Sequence, residues 1–386
     1  MIRRLPWLAA SLSAIAAREA AGQSFIDTRV LYYKESGDRT EVLNPNVLVH
    51  QDLGPTWGAL DLHLAYDAIS GASPTGAYPT LDVTTSASGK TVAGGSVPVA
   101  KYHDARKAGT LSYSNKFGAH LPSIDVSYSK ENDYTARSFG FSDAWTMAQG
   151  RGTLHYAFSI ARDIVAPVTN KLRLDKSTNG YALGWTWIVG ERDLLDVSGT
   201  LLGLSGYLDD PYKIVPIGPT ATGSSPDHRP DTRSRRALLA KYGHYFPWDG
   251  ALKVTYRYYW DDWAVKGHTL DLVYDQKLDS DWVVSPEIRY YTQSAASFYG
   301  SRFVTPQPYM SADYRLSPMD SILGGLGVSH KLENGSSVNA GVTFQSQTGR
   351  DRLTPLATSP AATRVTSTSP ADLTVVTVTL GYTFNY

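Results

Sequence analysis

Along residues 23–386 apolar and polar side chains alternate with a period of two, in segments of about ten to fourteen residues. In the last segment Val376, Val378, Leu380, Tyr382, Phe384 and Tyr386 share one parity; Thr377, Thr379, Gly381 and Thr383 share the other. Leu60, Leu62, Leu64 and Tyr66 stand against Asp61, His63 and Asp67, and Leu252, Val254, Tyr256, Tyr258 and Trp260 against Lys253, Thr255, Arg257 and Asp261. The same split recurs over 124–129, 154–160 and 181–187. Successive side chains of a strand point to opposite faces, so each segment predicts a strand with one apolar and one polar face.

Alternation alone fits a soluble sandwich as well as a transmembrane barrel. Length separates them, because ten or more residues exceed the usual soluble strand and match a tilted bilayer crossing. Clusters of Gly, Pro, Asn and Asp at 54–58, 118–122, 148–152, 190–193, 247–250, 278–281 and 333–336 predict tight turns. Longer connections are expected at 70–104, 163–178, 207–232, 295–318 and 349–370. Short and long connections are read as alternating strictly, with tight turns periplasmic and long loops extracellular. The expectation is an all-β fold: one antiparallel transmembrane β-barrel of about sixteen strands, the count held to within two, an even number as in single-chain bacterial barrels.

Residues 1–22 have the three parts of a secretory signal: Arg3 and Arg4, an apolar stretch at 5–17 too short to span a bilayer, and the small residues Ala20, Ala21 and Gly22. A cleaved signal at 1–22 and a barrel at 23–386 place the protein in the outer membrane of a Gram-negative bacterium. Leu380, Tyr382, Phe384 and Tyr386 then form a C-terminal signal for the barrel-assembly machinery, which with outer-membrane lipid is an expected partner. Composition sharpens the picture in three ways. The 25 Tyr and 9 Trp suit a bilayer interface. The lack of Cys excludes disulfides, iron–sulfur clusters and Cys-ligated zinc. Net charge +0 makes no electrostatic case for a nucleic-acid partner.

Four blocks stand out: DAISGASPTG (67–76), RYYWDDW (257–263) followed by KGHT, RYYTQSAASFY (289–299) and ADYRLSP (312–318). Together they resemble an uncharacterised outer-membrane family, domain of unknown function thirty-five-seventy, over essentially the whole mature chain. The resemblance implies fold and location, with no assigned reaction. It also implies gene neighbours that include a small lipoprotein and flavin-transferring or thioredoxin-like periplasmic proteins, so a small periplasmic lipoprotein is an expected partner and redox work an alternative.

Three sets of residues carry the site expectations. Lumen-parity charges Lys253, Arg257, Asp271, Asp275, Glu287 and Arg289 lie on consecutive strands and can pair across a wall; they form a constriction or a rigidifying filling. Asp67, Ser70, Gly71, Ser73 and Pro74 form a family-motif loop, read as a capped turn into the long loop at 70–104, which is the candidate lumen filler. Trp260, Trp263, Tyr258, Tyr290 and Tyr299 are assigned to an outer aromatic girdle. No HExxH, GxSxG, P-loop or dinucleotide fingerprint is present, so no cofactor, metal or catalytic residue is assigned. Two functions remain: a non-catalytic channel or docking barrel, or an outer-membrane enzyme or redox accessory with a site on the extracellular rim. A purely structural barrel is a third.

Overall fold

The computed structural model describes residues 23–77, 84–85, 91–92, 97–168, 172–353 and 367–386. The segment read as a signal peptide lies outside them. The alternating segments form sixteen strands of one closed barrel, each antiparallel to its neighbours. They are β1 (Phe25–Glu35), β2 (Glu41–Asp52), β3 (Ala59–Pro74), β4 (Val99–Ser114), β5 (His120–Lys130), β6 (Tyr134–Met147), β7 (Gly152–Val165), β8 (Leu174–Ile188), β9 (Asp193–Gly206), β10 (Thr232–Phe246), β11 (Gly250–Asp261), β12 (Lys266–Lys277), β13 (Trp282–Gln293), β14 (Met319–Lys331), β15 (Ser337–Gly349) and β16 (Leu373–Asn385). β16 closes on β1 with Phe384 opposite Ile26, and the Tyr386 N–H donates to Ser24 O at 2.9 Å. Closure leaves no ladder edge unpaired, which is what a strand needs inside hydrocarbon.

The apolar parity faces outward. Leu64, Val126, Leu183, Leu238, Phe344 and Leu380 are all exposed, as are Tyr382, Phe384 and Tyr386, so a band of large apolar side chains circles the wall. On a soluble protein such a band would drive aggregation; against lipid tails it is the required surface. The polar parity faces the lumen. There Arg29, Lys253 and Arg289 keep 54%, 57% and 43% of their side-chain surface accessible, so the lumen at their levels admits water.

The seven tight turns fall where the Gly, Pro, Asn and Asp clusters put them, all at one end of the barrel. At the opposite end the strict alternation fails. Besides the long loops, the connections 36–40, 131–133 and 262–265 are themselves tight. In the first, Gly37 and Asp38 take positive φ and the Glu35 N–H donates to Thr40 O at 2.9 Å, a turn chemistry that ends a strand as well there as at the other end. The loop at 70–104 is also shorter than expected. β3 runs on to Pro74 and β4 begins at Val99, sixteen residues each and paired from Ala59–Ser114 to Pro74–Val99. Ser70, Gly71, Ser73 and Pro74 therefore sit on a strand, not in a loop. The Gly and Pro that suggested a turn are tolerated because this stretch lies at the end of the wall, where Gly71 takes φ +123. Most of the remaining segment, including the stretch read as lumen filler, lies outside the described residues.

Candidate functional site

What covers the long-loop end, among the described residues, is the pair of loops 207–231 and 294–318. The first carries a hairpin, Ile214–Ile217 against Gly223–Pro226. The loops are stitched together by backbone bonds: Gly218 N–H to Phe303 O at 2.8 Å, Phe303 N–H to Pro216 O at 2.9 Å, and His228 and Met310 exchanging bonds of 3.0 and 2.8 Å. They form a single cap.

Two apolar clusters fasten the cap to the barrel. Trp263, Val265, Ala296, Phe298 and Leu316 form one; Tyr314, Met319, Ala371, Leu373 and Val375 form the other, with Tyr33 against it. The 3-10 turn Tyr314–Leu316 joins them, one end residue in each. Trp263 is thus 4% exposed and packs edge-on against Phe298 with ring centroids 5.0 Å apart, and Tyr299 is packed against the same cluster. Neither belongs to a girdle. Both lie beyond the ends of their strands, at Asp261 and Gln293, and their odd numbers share the lumen parity of Arg257 and Arg289; the girdle assignment rests on ring type at the outer end, which does not fix a face. Tyr258, Trp260 and Tyr290 do lie on the outward parity of β11 and β13, with Tyr290 48% exposed.

Between the clusters lies a buried ionic network of three acids, Asp210, Asp227 and Asp313, and three cations, Lys213, Arg229 and Arg315. Asp313 is 1% exposed; its carboxylate accepts from Arg315 Nε at 2.8 and 2.9 Å and from Arg229 Nη2 at 3.0 Å, and also caps the turn by accepting from the Arg315 N–H at 3.1 Å. Arg315 also bonds Asp210, while Arg229 Nε donates to Asp227 at 2.6 Å. Asp227 in turn accepts from the Asp210 N–H at 2.9 Å. Burial opposes ionisation of Asp313, but Arg315 and Arg229 outweigh it and hold the carboxyl well below its ordinary range. Burial raises Asp227 and lowers Lys213. Charges so far from water are tolerated because their signs balance and nearly every polar atom has a partner.

Lys213 ties the network to the wall: its ammonium donates to Ser73 Oγ at 2.8 Å and to Pro74 O. Around it the DAISGASPTG block becomes intelligible. Asp67 holds Arg106 of β4 and accepts from Asn44 of β2 at 2.5 Å. A Cβ at Gly71 would lie 2.0 Å from Arg39 O, and one at Gly76 2.2 Å from Ile214 O. Ser70 stays on the ladder, opposite His103. The other three blocks converge on the same cap: Asp261 accepts from Arg233 Nε at 2.9 Å and from Tyr259 at 2.6 Å, RYYTQSAASFY supplies Ala296 and Phe298, and ADYRLSP supplies Asp313, Tyr314, Arg315 and Leu316. The blocks pointed to the region, although its ionic partners Asp210, Lys213, Asp227 and Arg229 carry no sequence pattern.

Below the cap is a cavity of about 1490 Å³. Its lining includes Asp27, Asp61, Asp125 and Asp163 on β1, β3, β5 and β7, with Arg29, Arg106 and Lys176 of β1, β4 and β8 among them, and Arg233, Arg235 and Arg257 on β10 and β11. Of the six predicted lumen charges only Arg257 lines this cavity, its guanidinium 5.5 Å from the centroid of Tyr259. The others pair along the wall: Lys253 with Asp275, and Arg289 with Asp271 at 3.0 Å and Glu287 at 2.8 Å. Each of these pairs joins neighbouring strands or two residues of one strand.

The closed antiparallel ladder, the outward apolar band and the polar lumen define an outer-membrane β-barrel of porin-like build. The chain belongs to the family described as "Protein of unknown function (DUF3570)", whose model matches residues 5–360. No curated protein matches it in sequence. Among solved structures it is similar in fold to a bacterial polysaccharide outer membrane secretin (TM-score 0.52, 8% identity, 94% of this chain and 98% of that one) and to CdiB from Acinetobacter baumannii (0.50, 8%, 94% and 60%). The siderophore receptor PirA from Pseudomonas aeruginosa matches at 0.45 and 10%, over 94% of this chain. The chain spans about three fifths of the length of PirA and of CdiB.

Proposed function

We propose that this protein is a gated channel for polar solutes, whose lumen opens toward the short-turn end and is closed at the long-loop end by the cap. The observation that carries this reading is the cavity of about 1490 Å³, charged on both walls, directly beneath two loops locked by a neutral buried ion network. Sixteen strands enclose an aqueous lumen unless something fills it, and among the described residues the filling is local to one end. A lining in which acids and cations are interleaved suits a polar or zwitterionic solute; an apolar one gains nothing from it. No catalytic step is assigned. His50 and Asp61 (2.7 Å) make a buried pair and His155 and Asp196 (2.9 Å) a partly buried one, and among the described residues neither histidine bonds a serine.

The test is single-channel recording in a planar bilayer. Wild-type protein is expected to show rare openings, and deletion of residues 214–226 to produce a persistent current of fixed size. Absence of current from the folded deletion variant would exclude the channel. A small lipoprotein co-purifying with that silent barrel would favour instead a docking role at the short-turn end.

A further inference from the structure

The outward parity carries one feature that neither a lipid-facing wall nor a channel requires. On four adjacent strands, β4 to β7, the residue that follows the apolar band toward the long-loop end is a cation. Leu111 and Gly109 are followed by Lys107, Val126 and Tyr128 by Lys130, Phe141 and Phe139 by Arg137, and Phe158 and Ile160 by Arg162. The step is two residues along each strand, about 6.6 Å, which carries each charge just above the apolar band.

All four side chains are exposed. Register sets Lys107 directly opposite Lys130 and Arg137 directly opposite Arg162, with Arg137 also opposite Tyr128. Like charges directly opposite on one face destabilise a sheet. Among the described residues none of the four makes an ion pair; Arg162 donates only to Ala161 O at 2.9 Å and to Asn179 at 3.4 Å. Glu131 and Asp133, in the turn between β5 and β6, line the lumen cavity. Some outward cations at this end are neutralised within the chain, Lys34 by Glu41 at 3.7 Å and Arg350 by Asp320 at 3.6 Å; Arg236 and Lys266 are exposed singly, each beside Trp260 rather than opposite another cation. Carboxylates of Asp104, Glu131 and Asp133 gather within 4.8 Å of one another at the same end, yet none of them pairs with the four cations of β4–β7, which border the apolar band.

We propose that Lys107, Lys130, Arg137 and Arg162 form a binding site for phosphate-bearing lipid headgroups of the leaflet on the long-loop side. Two phosphates, one between each cross-strand pair, would relieve both repulsions. The flanking hydroxyls of Tyr128 and Thr135 add donors, and the apolar band below receives the acyl chains. Arginine suits such a site through its planar fork, and lysine as a point charge.

The test uses the protein purified in detergent and titrated with diphosphorylated lipid A, followed by native mass spectrometry and thermal melting. The comparator is the same lipid without phosphate. Wild type should bind the phosphorylated lipid and melt at a higher temperature with it. The variant K107Q/K130Q/R137Q/R162Q should bind at least about tenfold more weakly, since two basic residues at an anionic lipid surface already supply that factor. Without lipid it should melt no lower than wild type, because the repulsion is gone. Equal binding by the variant, equal binding of the phosphate-free lipid, or complete displacement by millimolar inorganic phosphate would each overturn the proposal. If the quadruple variant loses the heat-shifted gel mobility of a folded barrel, K107Q/K130Q and R137Q/R162Q replace it, each expected to lose part of the binding; full binding by both would be equally decisive against it.

Discussion

Asp313→Asn is the sharpest single probe of the cap. The amide is isosteric and still caps the turn at 314–316, so shape and turn are kept while one charge is removed. The network then holds two acids, Asp210 and Asp227, against three cations, Lys213, Arg229 and Arg315, and the surplus charge lies among buried groups. Removing one partner of a buried pair costs about 3–5 kcal/mol, borne by the closed state alone because the opened loops rehydrate. At about 1.4 kcal/mol per factor of ten, the open-to-closed ratio should rise by roughly two to three and a half powers of ten. Residue 313 lies outside the barrel ladder, so the melting temperature should stay near wild type. The double variant D313N/R315Q restores two acids against two cations and should close again in part. Unchanged open probability in folded D313N, or strictly additive effects in the double variant, would refute the argument. Acidification supplies a second check. A carboxyl held below its ordinary range contributes stability fully above the unfolded value, about 3.9, and loses it only as pH falls through the depressed folded value. Asp227, raised by burial, takes up its proton first, and that uptake favours the closed cap. The channel should therefore stay closed down to about pH 4.

Gly71→Ala combines φ +123 with a Cβ 2.0 Å from Arg39 O, so strain of at least about 1–3 kcal/mol should loosen the β3 end and raise conductance in the same recordings. Asp271→Ala leaves Arg289, 43% exposed, with Glu287 at 2.8 Å, so the cost should be only about 0–1 kcal/mol by thermal melting; a loss of several kcal/mol would show that the lumen there is drier than the accessible surfaces imply. Tyr386→Lys places a charge near an interface at a cost of about 0–1 kcal/mol, yet outer-membrane levels measured by fractionation should fall sharply if Leu380, Tyr382, Phe384 and Tyr386 act as an assembly signal. Normal levels would remove that role.

The barrel was legible in the sequence because its determinant is local. Period-two alternation chooses a face for every residue, and Gly, Pro, Asn and Asp chemistry ends each strand, so strand number, tight turns and the outward faces of β11 and β16 follow without knowledge of the partner strand. Ring type is a weaker guide: Trp263 and Tyr299 are assigned to an outer girdle as aromatics at the outer end, yet both lie beyond their strands, which end at Asp261 and Gln293, and pack into the cap. The lumen charges illustrate a second limit. Parity put Arg257 and Asp271 on one face, but register sets Arg257 opposite Thr269 and Asp271 opposite Arg289, and a shift of register is invisible in a single strand. The cap was beyond reach for a physical reason: Asp210 and Arg315 are 105 positions apart, Lys213 and Ser73 140 apart, and neither loop has a periodicity that names its partner. Only the folded barrel, by bringing the ends of β3, β9 and β13 to one rim, turns those scattered charges into a neutral, buried lock.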